Sequence, residues 1–389
     1  MPRTALVALV LSSSALVARA QDSLFVSSRF TDQVLRYDAS GAFLGVFASG
    51  GGLVNPVGLT FGPDGNLYVA SGETDQVLRY DGTSGAFIDV FASGGGLDAP
   101  RQVNFGPDGD LYVASGATNQ VLHYDGTSGA FVGVAAAGGN LNGPTSFTFG
   151  PDGRLYVGSV LNDKIKRYDP ASGAFLGTFI AANINGPHDL AFGPDGRLYV
   201  TNAFNTRIQR FDGVTGAFLG TFVLDARLVN PLGISWNEQG DLVIVNQGHD
   251  EVLRYDGRNG AFLGTSVASG LGGLSAPLFA VFEPRIGLRV RAPIPGLAGR
   301  RNFLVVSGAT PGAKLELGVD DGPGVRTRRG CDGEIVLSAA TLQRTLVADE
   351  SGRAFVRALV APDAAGRLFA VQALERRVCG ASPLLFVRF

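Results

Sequence analysis

The chain has 389 residues, 17% of them charged, with 32 basic against 34 acidic side chains and a net charge of −2. That balance supplies no field to recruit nucleic acid or an anionic membrane surface. Its 56 glycines follow no three-residue period, so they signal many tight turns and exclude a collagen-like chain.

The first twenty residues read as a secretory signal. One arginine precedes an apolar run from Ala5 to Leu11, small residues continue to Val17, and Ala18-Arg19-Ala20 ends in a cleavage signature after Ala20. The run is too short to span a bilayer, and no later stretch is long enough to do so. The mature protein is therefore expected to be secreted or periplasmic, without membrane insertion, and monomeric.

From there the sequence repeats. The unit YDGTSGAF at Tyr80–Phe87 has close copies whose aromatic-Asp pairs begin at Tyr37, Tyr124, Tyr168, Phe211 and Tyr255. The Gly-Ala-Phe that follows ends at Phe43, Phe87, Phe131, Phe175, Phe218 and Phe262, a period of 43 or 44 residues. Between these lies GPDG at 62–65, 106–109, 150–153 and 193–196, degenerating to NEQG at Asn237–Gly240 and followed by a strand such as NLYVAS. Short strands and glycine turns at this period predict propeller blades of four antiparallel strands. In the second unit these are Pro56–Phe61, Asn66–Ser71, Gln76–Tyr80 and Ala86–Val90.

The ends of the repeat region are complementary. The mature chain enters at Leu24–Ser27, which matches a second strand with no first strand before it, whereas Pro277–Phe282 matches a first strand with no second strand after it. The expectation is one closed six-bladed β-propeller over residues 21–284, in which Leu278–Phe282 pairs with Leu24–Ser28.

The motifs Pro-x-x-Leu/Val/Ile, GPDG-x-LYV and VLRYD resemble those of NHL-repeat and gluconolactonase-like six-bladed propellers. That group includes lactonases, peptidyl-hydroxyglycine lyases and many binding modules. WD40 blades are the rival, but the Trp-Asp pair is absent and Trp236 is the single tryptophan.

Beyond Pro284 the period stops. Seven or eight strand-like segments in residues 285–389 suggest a small β-sandwich, Ig-like in outline, making the whole chain all-β. The stretch PGLAGRRNFLVVSGATPGA resembles an uncharacterised module on other exported bacterial proteins, and the blandest role for the tail is a spacer. Cys331 and Cys379, the two cysteines, both lie there, and in an exported protein they are expected to form a disulfide.

Internal repetition separates scaffold from site. Arg36, Arg79, His123, Arg167, Arg210 and Arg254 occupy one position in six units, so they meet a structural demand, and His123 stands in for arginine. Asp64, Asp108, Asp152 and Asp195 of GPDG are turn formers by the same logic. Departures are more informative. The first strands carry Gly58, Gln102, Ser146, Asp189, Gly233 and Phe279, and the second strands end in Ser28, Ser71, Ser115, Ser159, Asn202 and Asn246.

Connectivity brings both sets to one mouth of the channel. His188, Asp189, Asn202 and Asn246 therefore fall in adjacent blades, with His249 in the following loop. Oxygen donors of this kind suit a hard cation, and Asp189, Asn202 and Asn246 are the candidate ligands for calcium. The resemblance implies a calcium that polarises substrate beside a carboxylate base in the lactonase-like enzymes, and a histidine-bound zinc in the lyase-like ones. Here the donor set is thin, and His188 with His249 does not complete a zinc site.

No nucleophile elbow, P-loop or dinucleotide fingerprint is present. Short loops leave little to close over a substrate. The expected function is an exported binding or scaffolding protein, presenting a rigid propeller face to a protein, peptide or glycan and holding no cofactor unless calcium sits at the mouth. The alternative is a metal-dependent lactonase, hydrolase or lyase with His188 or Asp189 as base.

Overall fold

In a computed structural model of the chain, residues 23–237 and 239–283 are described in full, followed by the backbone of ten short strands between Arg289 and Arg388. The described N-terminal part is an all-β propeller of six four-stranded antiparallel sheets. Each sheet is one blade: an inner strand such as Pro56–Phe61, then Leu67–Ser71, Gln76–Tyr80 and an outer strand Phe87–Ser93. The inner strands neighbour one another in a ring around the axis.

Closure follows the expected register. Pro277–Phe282 pairs antiparallel with Leu24–Ser28, matching Leu24 to Phe282 and Val26 to Ala280, and so completes the blade that the N-terminal strand begins. We number this blade 1 and the others 2 to 6 along the chain. Among the described residues no helix is long and apolar enough to cross a membrane. The signal segment 1–20 lies outside them.

The repeated residues are explained by what they touch. Each GPDG aspartate that stands before a tyrosine strand accepts that tyrosine's hydroxyl, as Tyr112 to Asp108 at 2.7 Å, and also a backbone N–H two residues on. The tyrosines of the second strands then meet the aromatic that ends the next blade's inner strand edge-on: Tyr68 with Phe105 at 4.9 Å, Tyr112 with Phe149 at 5.0 Å, Tyr199 with Trp236 at 4.9 Å. These edge-to-face pairs stitch blade to blade.

The glycine of Gly-Ala-Phe is required by close approach as well as by backbone angle. Gly129 has φ +71, and a Cβ there would lie on the Phe91 carbonyl oxygen of the preceding blade. The arginine series is scaffold, as its repetition implies: Arg79 bonds Asp89, Arg36 bonds Glu283 at 2.9 Å, and Arg210 lies over Phe222 at 5.3 Å.

In the C-terminal region, Arg301–Ser307 pairs with Arg289–Arg291 and Ala354–Leu359. Lys314–Asp320 pairs with Leu342–Val347 and Leu368–Glu375, and the last of these with Leu385–Arg388. Thr327–Arg329 and Ile335–Leu337 pair antiparallel. The expected disulfide requires correction: no disulfide is present among the described residues, Cys331 and Cys379 lie outside them, and the bridge is withdrawn.

Candidate functional site

The face where inner strands begin and second strands end carries the mouth of the channel, and the GPDG turns form the opposite face. Every inner strand has a register break just after its proline, for example between Pro100 and Val103 or Pro187 and Leu190. Such bulges re-aim side chains. The residues on the break form two rings: Val57, Arg101, Thr145, His188, Leu232 and Leu278 at the mouth, and Gly58, Gln102, Ser146, Asp189, Gly233 and Phe279 one layer deeper.

Asp189 fills the axis in that deeper ring. It is 2% exposed. One carboxylate oxygen accepts the Leu190 N–H at 2.8 Å and faces Gln102 Nε2, across the axis in blade 3, at 3.4 Å. The other accepts the Ile234 N–H of blade 6 at 2.9 Å. Burial pushes its pKa up to about 7 despite those hydrogen bonds. The Ser146 hydroxyl opposes the shift from nearby without reaching hydrogen-bond geometry.

His188, one residue earlier, is half-buried at the mouth. Its ring faces Phe279 at 5.7 Å, and its Nδ1 is enclosed without a hydrogen-bond partner. Burial, helped by the positive charge of Arg101, pushes its pKa down to about 3. At neutral pH this imidazole is uncharged. Burial and the nearby Arg29 also lower the pKa of Arg101.

Asn202 and Asn246 belong to a different six-fold device. Ser71 Oγ accepts the Val54 N–H at 3.0 Å, Ser115 the Asp98 N–H at 3.0 Å and Ser159 the Asn142 N–H at 2.9 Å. Asn202 Oδ1 accepts the Asn185 N–H at 2.8 Å, Asn246 Oδ1 the Val229 N–H at 2.7 Å and Ser28 Oγ the Ser275 N–H at 3.0 Å. All six pin the connector that enters their own blade. The two amide oxygens and both oxygens of Asp189 thus each accept an N–H, with which a cation at Asp189, Asn202 and Asn246 would compete.

Replacing Asn246 by alanine is expected to lower unfolding free energy by about 1–3 kcal/mol, because the Val229 N–H and the Arg227 carbonyl of the connector lose a fully buried partner. Urea denaturation measures it. A loss below about 0.5 kcal/mol would show the pin to be dispensable.

Among the described residues one group of histidine, cysteine and carboxylate side chains can coordinate a metal ion: Asp108, Asp110 and His123, with ligand atoms within 4.8 Å of one another. It lies at the turn face of blade 3 and is only partly buried. His123 Nε2 is 2.8 Å from Asp110, and its ring stacks on Tyr112 at 4.5 Å. His249, by contrast, stands on the opposite rim, 3.6 Å from Glu251. A surface depression lined by Leu24, Asp38, Asn237, Arg254 and Phe282 lies where blades 6 and 1 meet on the turn face, remote from the mouth.

No family model matches the chain, and no curated protein does. Solved structures match over the propeller. A chain of a nidogen/laminin complex is 14% identical with a TM-score of 0.56, covering 68% of this chain and 98% of that one. A protein of unknown function from Bacteroides caccae is 12% identical with a TM-score of 0.55, covering 68% and 100%. A catalytically inactive virginiamycin B lyase from Staphylococcus aureus, with quinupristin, is 16% identical with a TM-score of 0.51, covering 69% and 94%. At these identities the likeness is one of fold. It leaves the resemblance to the NHL-repeat and gluconolactonase-like group at the level of a six-bladed propeller.

Two features of the site escaped the sequence. Arg101 lies at the mouth, and its signal was available: it is the one charged residue directly after an inner-strand proline, where His188 is the other titratable one. Asp110 was passed over although the position after the turn is acidic only there and at Asp241 of blade 6.

Proposed function

We propose that the propeller carries acid–base chemistry at the mouth of its channel, rather than serving as a passive binding surface. One observation carries this reading. The bulge of blade 5 sets two neighbouring titratable groups whose pKa values are driven in opposite directions, Asp189 up to about 7 and His188 down to about 3. Environments that push adjacent groups apart are how one site keeps a proton donor and a free base together near neutral pH.

In this reading Asp189 exchanges a proton near neutrality, while His188 stands beside it at the mouth as an uncharged imidazole. The reaction class is base-assisted opening of a lactone or related cyclic ester, by hydrolysis or elimination. The solved lyase that shares the fold supports it only as a precedent for chemistry on such a ring of blades. A cation held by Asp108, Asp110 and His123 would sit on the turn face, apart from the reaction at the mouth. An imidazole among carboxylates suits zinc or manganese better than calcium. Residues 285–389 complete the reading as a separate small sandwich that spaces an exported propeller.

The test is turnover of a panel of lactones and cyclic depsipeptides, quinupristin included, by the wild type, His188→Gln and Asp189→Asn. Each substitution is expected to lower kcat/KM at least 100-fold, within the usual range for a lost acid or base. Retention of the full rate by both folded variants would remove the assignment, and so would the absence of any turnover by the wild type.

A further inference from the structure

Two guanidiniums, Arg101 and Arg29, stand at the mouth above Asp189. Arg101 projects from the bulge of blade 3, and its side chain makes no hydrogen bond or ion pair among the described residues; its stem packs against Gly116. Arg29, in the short helical turn Arg29–Thr31 that follows the N-terminal strand, has its Nε on Asn55 Oδ1 at 2.7 Å and no carboxylate partner among the described residues. Three of the carboxylates on this face are held in hydrogen bonds. Glu73 faces Asn55 Nδ2 at 3.3 Å, Asp32 accepts the Asn55 N–H at 2.7 Å, and Asp189 accepts backbone and amide donors. Two guanidiniums and a histidine with an enclosed, unpartnered ring nitrogen thus converge on one opening.

The same opening has an apolar rim. Phe30, Leu161 and Phe204 are 71%, 69% and 70% exposed, and each tips the loop after a second strand. Each also lies over the connector that leads into a mouth residue. Phe204 sits against Gly186, just before Pro187-His188, and Leu161 against Gly143, just before Pro144-Thr145, while the Phe30 N–H points to Ser275 O at 3.5 Å. Exposed aromatic and aliphatic side chains around a charged centre match a ligand with an apolar body and one anionic end.

We propose that the channel mouth binds a small carboxylate with an apolar body, its anionic end held between Arg101 and Arg29 beside His188 and its body against Phe204 and Leu161. A planar carboxylate is the natural partner of an unpaired guanidinium, which offers two parallel donors. This deepens the reading given above by naming the substrate class, a carboxylated ester or lactone, but it concerns binding alone.

Phenylacetate, phenylacetamide and inorganic phosphate are the probes, titrated calorimetrically into the full chain. Phenylacetate is expected to bind, phenylacetamide at least tenfold more weakly, and Arg101→Gln to weaken phenylacetate at least tenfold while melting with the wild type. Phe204→Ala should weaken phenylacetate and leave phosphate unchanged. Equal binding of acid and amide, no saturable binding of phenylacetate at millimolar concentration, or an unaltered Kd in both Arg101→Gln and Arg29→Gln would overturn the proposal. Binding with no turnover of any ester would instead defeat the catalytic reading and leave this one standing.

Discussion

A chain ending at Ala276 is expected to lose the cooperative unfolding transition that a chain ending at Glu283 keeps. The seven residues between those ends supply the inner strand of blade 1, paired with Leu24–Ser28. They bury Leu278 and Phe279, which are 5% and 6% exposed. Two such side chains are worth about 3–6 kcal/mol together, against a total stability of about 5–15 kcal/mol for a typical domain. The deletion also strips Ser27 Oγ of the Phe279 N–H at 3.1 Å and opens the ring, so that two blade faces meet water. Thermal unfolding followed by circular dichroism distinguishes the two chains. A melting temperature for the shorter chain within about 3 °C of the longer one would mean that the ring does not depend on this strand.

The second large effect is on the pH dependence of stability, where His188 and Asp189 act in opposite senses. Asp189 has a pKa raised in the folded state to about 7 from an ordinary 3.8. Its contribution is therefore fully present below about pH 4 and is lost as pH rises to about 7. His188 has a pKa lowered to about 3 from 6.5. Its contribution is present above about pH 6.5 and is lost as pH falls toward 3. At about 1.4 kcal/mol per unit, each contributes on the order of 4 kcal/mol across its window.

The wild type should consequently show a shallow profile between pH 4 and 6.5, because the two slopes largely cancel. Asp189→Asn should leave a protein that loses stability steadily on acidification over that interval. His188→Gln should leave one that gains stability as pH falls from 7 to 4. Urea unfolding at half-unit steps of pH gives both curves. Parallel profiles for the two variants would show that neither group is held in the environment described.

Much of the architecture was written in the repeat. Six copies of the aromatic-Asp and Gly-Ala-Phe signals fixed six blades. The missing first strand at one end and missing second strand at the other fixed how the ring closes, since an edge strand without a partner leaves backbone donors unpaired. Repetition also identified Arg79 and its equivalents, and the GPDG aspartates, as scaffold. It misread His123 in part: a residue that fills a scaffold position can still join a metal-competent group when it is itself a ligand type and an acidic neighbour such as Asp110 stands beside it.

For the site, the same logic located the two rings around the axis but could not say what each ring did. Asn202 and Asn246 break a serine series, and a break was the signal for function. The fold gives them the serines' own task, because an amide oxygen reaches the connector N–H as well as a hydroxyl does. His188 and Asp189 were legible as residue types, whereas their opposed pKa values were not. Those depend on how deeply the bulge of blade 5 sinks each side chain, and on Arg101, which stands 87 positions before His188 in sequence and meets it only when the ring is closed. The sequence by itself determined the number of blades, their order and their turns, for these rest on local patterns repeated along the chain. Only the tertiary structure decided which polar groups are buried and which charges face one another at the mouth, because desolvation and Coulomb interaction depend on distance through space.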